Sequence, residues 1–191
     1  MKRYDLVGLV LLAWAFGLSG CGEKVEPKAE TVAGHVVPAT AVVPAFPLKP
    51  YDATLDEGID FKKQGWPSFL AEASGLSGYE PWGRWTDALS GSGAKFRFKQ
   101  ALPKRFILEI TGHPYGPNLD QSVKVRVGKV EKSFVMDKKD ANTYRLAFET
   151  DGAADMLEIT PSKPTSPQEI DPKNGDTRKL GIALTALKIK Q

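Results

Sequence analysis

The stretch Arg105-Phe106-Ile107-Leu108-Glu109-Ile110-Thr111 decides the class of fold. Phe106, Leu108 and Ile110 fall on every second position, with Glu109 and Thr111 in the other phase. Side chains of a strand alternate between its two faces, so this spacing predicts a strand with one face against a core. Similar runs lie on either side. Phe96 and Phe98 sit among Lys95, Arg97 and Lys99; Val123, Val125 and Val127 alternate with Lys124 and Arg126. Tyr144, Leu146 and Phe148 follow, then Leu157 and Ile159 around Glu158. Gly128-Lys129 separates two strand-like runs and predicts a hairpin. The last run, 180–190, changes phase: Ile182 and Leu184 share one register and Leu187 and Ile189 the other, so a bulge near Thr185-Ala186 is expected. Gly, Pro, Asp and Asn punctuate the runs as turns require. One short helix is expected over Pro67–Ala73, with proline in its first turn. Many short strands with regular turns predict an all-β fold, a single jelly-roll-like β-sandwich over residues 58–191.

Upstream of this domain the composition shifts twice. Residues 22–57 are rich in Ala, Val, Pro, Thr and Glu and include Pro27, Pro38, Pro44, Pro47 and Pro50. Such stretches favour extended, semi-rigid spacers, so residues 21–57 are expected to be a tether reaching on the order of 100 Å when extended. The alternative is that Val42-Val43 and Phe46 pack as a first strand. Residues 1–20 have the layout of a signal peptide: Lys2 and Arg3, an apolar run from Leu6 to Leu18, then small residues. The run is shorter than the roughly 20 residues that span a bilayer. Leu18-Ser19-Gly20-Cys21 resembles the lipobox of bacterial lipoproteins, which implies cleavage before Cys21 and lipidation, including palmitate, on that residue. An ordinary signal peptide ending in a chance cysteine is the competing reading. A multiply acylated terminus anchors stably, so the expectation is a lipid-anchored protein of the cell envelope facing the periplasm. Gly22, standing where an aspartate would favour inner-membrane retention, points to the outer membrane over the inner.

Composition narrows the function. Cys21 is the only cysteine, so once it is lipidated no thiol remains for a disulfide, a thiolate metal site or a nucleophile. Removing residues 1–20 takes away Lys2, Arg3 and Asp5 and lowers the formal net charge of +3 by one. A chain so near neutrality is not expected to bind nucleic acid.

Residues 74–87, SGLSGYEPWGRWTD, concentrate chemistry. Glu80, Trp82, Arg84, Trp85 and Asp87 fall within eight positions. If the chain is extended there, Trp82, Arg84 and Thr86 face one way and Gly83, Trp85 and Asp87 the other. Flat aromatic faces suit the C–H surfaces of sugars, and fixed carboxylates and guanidinium groups suit their hydroxyls. Two readings stay open: a glycan site, or core tryptophans with Glu80 and Arg84 as a structural ion pair. Residues 112–118, GHPYGPN, form a loop candidate with His113, Tyr115 and Asn118. His113 lacks a histidine partner and reads more readily as a surface residue than as a base or metal ligand. Residues 161–179 form a long Pro-rich loop in which Arg178 and Asp176 either reach a ligand or pair with each other.

These regions in order carry a resemblance: Ile59-Asp60-Phe61, then Gly75 to Asp87, the Gly116-Pro117-Asn118 loop, Pro161 to Pro167, and Asp176 to Ile182. The pattern is similar to the C-terminal domain of the phosphoglycerol transferases that decorate osmoregulated periplasmic glucans, and to domains beside membrane glycosyltransferases. Those enzymes keep their metal-dependent catalytic domain elsewhere in the chain. The resemblance therefore implies an accessory β-sandwich, not a transferase. The first expectation is a non-catalytic binding module for a periplasmic glucan or other envelope glycan. Its candidate ligand-binding residues are Glu80, Trp82, Arg84, Trp85, Asp87, Asn118 and Arg178. The alternative is a structural lipoprotein that binds an envelope protein and supports a glycan-modifying complex. A third class, a glycosidase with Glu80 and Asp87 as acid and base, finds no nucleophile motif, metal cluster or phosphate loop beside it. No catalytic residue, cofactor or metal is assigned.

Overall fold

The computed structural model describes residues 50–191. The expected signal peptide, Cys21 and most of the expected tether lie outside the described residues. Ten strands follow in chain order: β1 (Ile59–Asp60), β2 (Leu70–Ser74), β3 (Arg84–Asp87), β4 (Ala94–Phe98), β5 (Arg105–Pro114), β6 (Ser122–Val127), β7 (Val130–Val135), β8 (Asn142–Glu149), β9 (Met156–Pro161) and β10 (Leu180–Lys190). They form two five-stranded sheets, antiparallel throughout. One runs β2-β4-β9-β6-β7. The other runs β1-β10-β5-β8, with β3 also paired to β10. β3 takes Leu180–Leu184 of β10, and β1 takes Ala186 and Leu187 farther along. The domain is a β-sandwich, as the period-two runs predicted.

The alternating residues are the core. Phe106, Leu108 and Ile110 of β5 and Ile182, Leu184, Leu187 and Ile189 of β10 are buried. From the other sheet, Phe96, Phe98, Val123, Val125, Val127, Leu157 and Ile159 join the same cluster. Fully burying a side chain of this kind stabilises by about 1.5–3 kcal/mol, and no disulfide contributes. The phase change in the last strand is a register shift between Leu184 and Ala186, where the bulge was expected. The β6–β7 hairpin turns at Gly128, whose φ of 56° suits glycine.

Two local expectations differ from the structure. Residues 67–73 are not a helix: Leu70–Ser74 is β2, paired with β4 from Leu70↔Phe98 to Ser74↔Lys95. A seven-residue helix has little to offset its nucleation cost. Pairing with β4 instead satisfies the backbone and stacks Phe69 on Phe98 with ring centroids 5.9 Å apart. The single α-helix among the described residues is Pro167–Ile170, inside the long loop, started by a capping box of Ser166 and Glu169. The domain was also read as starting at Gly58, yet bonded backbone reaches back to Tyr51. Its amide donates to the Trp66 carbonyl at 3.0 Å, its hydroxyl accepts from the Asp60 amide at 2.9 Å, and the Leu55 carbonyl accepts from the Ile189 amide at 2.9 Å.

Candidate functional site

The site begins with a turn. Glu80 and Gly83 exchange backbone hydrogen bonds of 3.1 and 2.9 Å, placing Pro81 and Trp82 at its tip. Only glycine suits the last corner: Gly83 has φ +152°, and a Cβ there would meet the Leu184 carbonyl oxygen at 2.3 Å. β3 starts just after. The turn cancels the alternation expected of an extended 82–87, and Trp82 folds onto Trp85, centroids 5.1 Å apart, instead of sharing a face with Arg84.

Trp85 lies opposite Ala183 of β10, and Ala183 lies opposite His113 of β5. The three residues make one row across three strands. Because the middle residue is only alanine, the Trp85 and His113 rings lean over it to 5.3 Å. His113 also stands 6.0 Å from Trp82, and Tyr115 stands 5.4 Å from Trp85. All four rings are half-buried. They form a continuous aromatic patch on the outer face of the sandwich, mostly edge-to-face, an arrangement favoured by ring quadrupoles.

Polar groups border the patch. The Trp82 Nε1–H donates to Glu80 Oε2 at 3.0 Å, and Arg178 Nη1 donates to Glu80 Oε1 at 3.1 Å. Arg178 turns its Nε and Nη2 to Asp176, with bonds of 3.0 Å to Oδ1 and 2.7 Å to Oδ2. Those bonds hold the Asp176 carboxyl below its ordinary value, and hydrogen bonding to Asp176 raises Arg178 in turn. Burial lowers the His113 imidazole, partly opposed by Asp140. Burial raises the Tyr115 phenol, reinforced by Asp176.

Four candidates thus gather at one surface: Glu80, Trp82, Trp85 and Arg178. The other three are buried and build the frame. Arg84 is 6% exposed and faces away from Trp85. Its guanidinium lies 4.9 Å from the Trp66 ring and 5.6 Å from Tyr79, and donates to the Gln64 carbonyl at 3.3 Å. Burial lowers its pKa. The ion pair read for Glu80 and Arg84 does not form; Glu80 pairs with Arg178. Asp87 Oδ1 accepts the amides of Lys179 and Leu89 at 2.9 and 3.0 Å, which pins the long loop to β3. Asn118 Nδ2 donates to the carbonyls of Tyr115 and Leu180 at 3.1 and 3.3 Å, fixing the loop below the aromatic patch. These buried side chains hold the surface but do not present themselves to a ligand.

His113 and Tyr115 complete the patch, although neither stood among the candidate binding residues. The available signal was the phase of β5: His113 shares the outward phase of Glu109 and Thr111. Asp87 and Glu80, weighed as an acid–base pair, are held by different partners. Among the described residues, no group of three His, Cys, Asp or Glu is arranged to hold a metal ion. Two hollows lie away from the patch, one lined by Arg105, Ile107, Lys132 and Lys190, the other by Leu55, Phe69, Phe98 and Lys99. The aromatic patch itself is an open face where rings and oriented polar groups converge, which neither hollow matches.

Comparison with known proteins gives three findings. Residues 49–191 match a family described as Domain of unknown function (DUF7024). Over 129 residues, 68% of the chain, the sequence is 37% identical to Phosphoglycerol transferase I of Escherichia coli O139:H28 (strain E24377A / ETEC), and to the same degree to that of Shigella boydii serotype 18. The match covers 17% of each relative, so the chain spans about a sixth of the length of these curated relatives. Among solved structures, a carbohydrate binding module of family 29 aligns with a TM-score of 0.45 at 14% identity, over 70% of this chain and 85% of the other.

Proposed function

The chain belongs to the DUF7024 family, and from that premise we propose that it is a lipid-anchored envelope module that binds a glycan and does not itself transform it. The observation that carries this reading is the row Trp85–Ala183–His113 with Trp82 and Tyr115 beside it. Three adjacent strands bring Trp85 and His113 together over Ala183, and Trp82 and Tyr115 extend the surface. The rings offer flat faces and edges to sugar C–H groups. Glu80, Asp176 and Arg178 offer directional partners to hydroxyls at the border. Kinship with Phosphoglycerol transferase I over one domain supports a role beside an enzyme of that kind. The carboxylates support the non-catalytic part: Asp87 is buried beneath two backbone amides, and both oxygens of Glu80 hold donors.

The test is titration of the purified chain with envelope glucans, read by tryptophan fluorescence and calorimetry. Saturable binding that is lost in folded Trp82→Ala and Trp85→Ala variants is the expected result. No spectral shift and no heat with any glycan would sink the reading and leave protein interaction in its place. The anchor has its own test. Labelled palmitate should enter the chain in a lipoprotein-processing bacterium and be lost completely in Cys21→Ser; equal labelling of that variant would refute anchoring at Cys21.

A further inference from the structure

The charges around the aromatic patch are unevenly matched. Three of the four rings have a carboxylate for a neighbour. Glu80 accepts from the Trp82 indole at 3.0 Å. Asp176 lies close enough to Tyr115, and Asp140 to His113, to bias the titration of each. One arginine serves this border, and it is already occupied. Arg178 places Nε and Nη2 on Asp176 and Nη1 on Glu80, so its planar fork is spent on two carboxylates. Two neighbouring lysines have carboxylates of their own: Lys179 is tied to Glu169, and Lys138, in the loop that carries Asp140, lies 3.7 Å from Asp137. Glu80, Asp176 and Arg178 together keep a net negative charge. Burial disfavours the charged form of His113.

Sugar hydroxyls suit such a border, because they donate to carboxylate lone pairs that remain free. Anions do not. A phosphodiester or carboxylate on the glycan would meet like charge and find its one cationic partner engaged. We infer that the patch recognises an uncharged stretch of polysaccharide and discriminates against the same polysaccharide bearing anionic substituents. This rests on the glycan-binding reading above.

The experiment compares one glucan in two forms, unsubstituted and phosphoglycerol-substituted, titrated calorimetrically into the purified full chain at low and high salt. Binding of the substituted form should be about tenfold weaker or worse at low salt, with the gap narrowing at high salt as the screening length shortens. A Glu80→Gln/Asp176→Asn double variant removes two negative charges beside Arg178 and should narrow or invert the preference. Should that variant fail to fold by circular dichroism, the salt series on the native chain decides alone. Equal or tighter binding of the substituted glucan, with the neutral form also bound, overturns this inference and leaves glycan binding standing. Binding of neither form overturns the glycan reading and this inference with it.

Discussion

The two outer faces of the sandwich are built from the same strand pattern and end in opposite chemistry. On the β2-β4-β9-β6-β7 sheet, outward positions carry paired charges: Glu158 takes both Arg126 and Lys95, Arg97 meets Glu72, and Lys124 meets Glu131. That is a solvated face; exposed pairs of this kind contribute about 0–1 kcal/mol each. On the other sheet, outward positions at the β3-β10-β5 end carry Trp85, Ala183 and His113. Trp82 and Tyr115 join them, and the four half-buried rings make an apolar surface where the other face has paired charges. Alternation decides which residues leave the core, and the choice of what to place outside separates a charge-paired face from an aromatic one.

The contrast can be broken most severely at Gly83. Gly83→Val drives a Cβ toward the Leu184 carbonyl in a backbone region that suits glycine. Unfolding in urea should show a loss of about 2–3 kcal/mol, with glycan binding abolished; a variant of native stability would mean the turn is not what sets Trp82.

Next in size is the aromatic row. Trp85→Ala removes contacts with three rings and should cost about 2 kcal/mol in stability and at least about tenfold in glycan affinity. Trp82→Ala, at the turn tip, should cost a similar factor in affinity and about half as much stability. Equal affinity in both variants would move the site off this face.

A smaller effect separates the faces by pH. His113 has a folded-state pKa below its unfolded value of 6.5, because burial disfavours the charged ring. The unfolded chain therefore binds more protons in the window just below that value, and stability must fall as pH drops through it. Thermal melts should show that decline, and His113→Gln should flatten it. A decline of the same size in the variant would assign the effect to another group.

The smallest change is expected on the charged face. Arg126→Ala should alter stability by less than about 1 kcal/mol, less still at high salt, and leave glycan binding unchanged. An affinity loss there would erase the distinction between the faces.

Legibility in the sequence followed the range of the interactions involved. β5, β6, β8 and β10 were readable because each buries one face by itself, and period two records that burial locally. The segment 67–73 was misread because a short apolar run fits either periodicity, and pairing with β4 settled it. Of the seven candidate residues, Glu80, Trp82, Trp85 and Arg178 meet at one surface, and Arg84, Asp87 and Asn118 are buried. Arg84 has the residue type of a ligand donor yet lies between Trp66 and Tyr79, and only their packing reveals it. Arg178 and Glu80, 98 positions apart, meet through the placement of the long loop against the turn.

By itself the amino-acid sequence determined an all-β domain with alternating core residues, a bulge in its last strand, one cysteine, and a Trp-rich segment able to carry function. Those are local properties: period, turn residues and composition are set within a few neighbouring positions. Tertiary structure alone decided that Trp82 turns back onto Trp85, that Ala183 leaves room for His113 to join them, and that Arg178 spends its donors on two carboxylates. The reason is physical. In an antiparallel sheet, lateral neighbours come from distant parts of the chain, and their identity depends on strand order and register, which no single stretch of sequence contains.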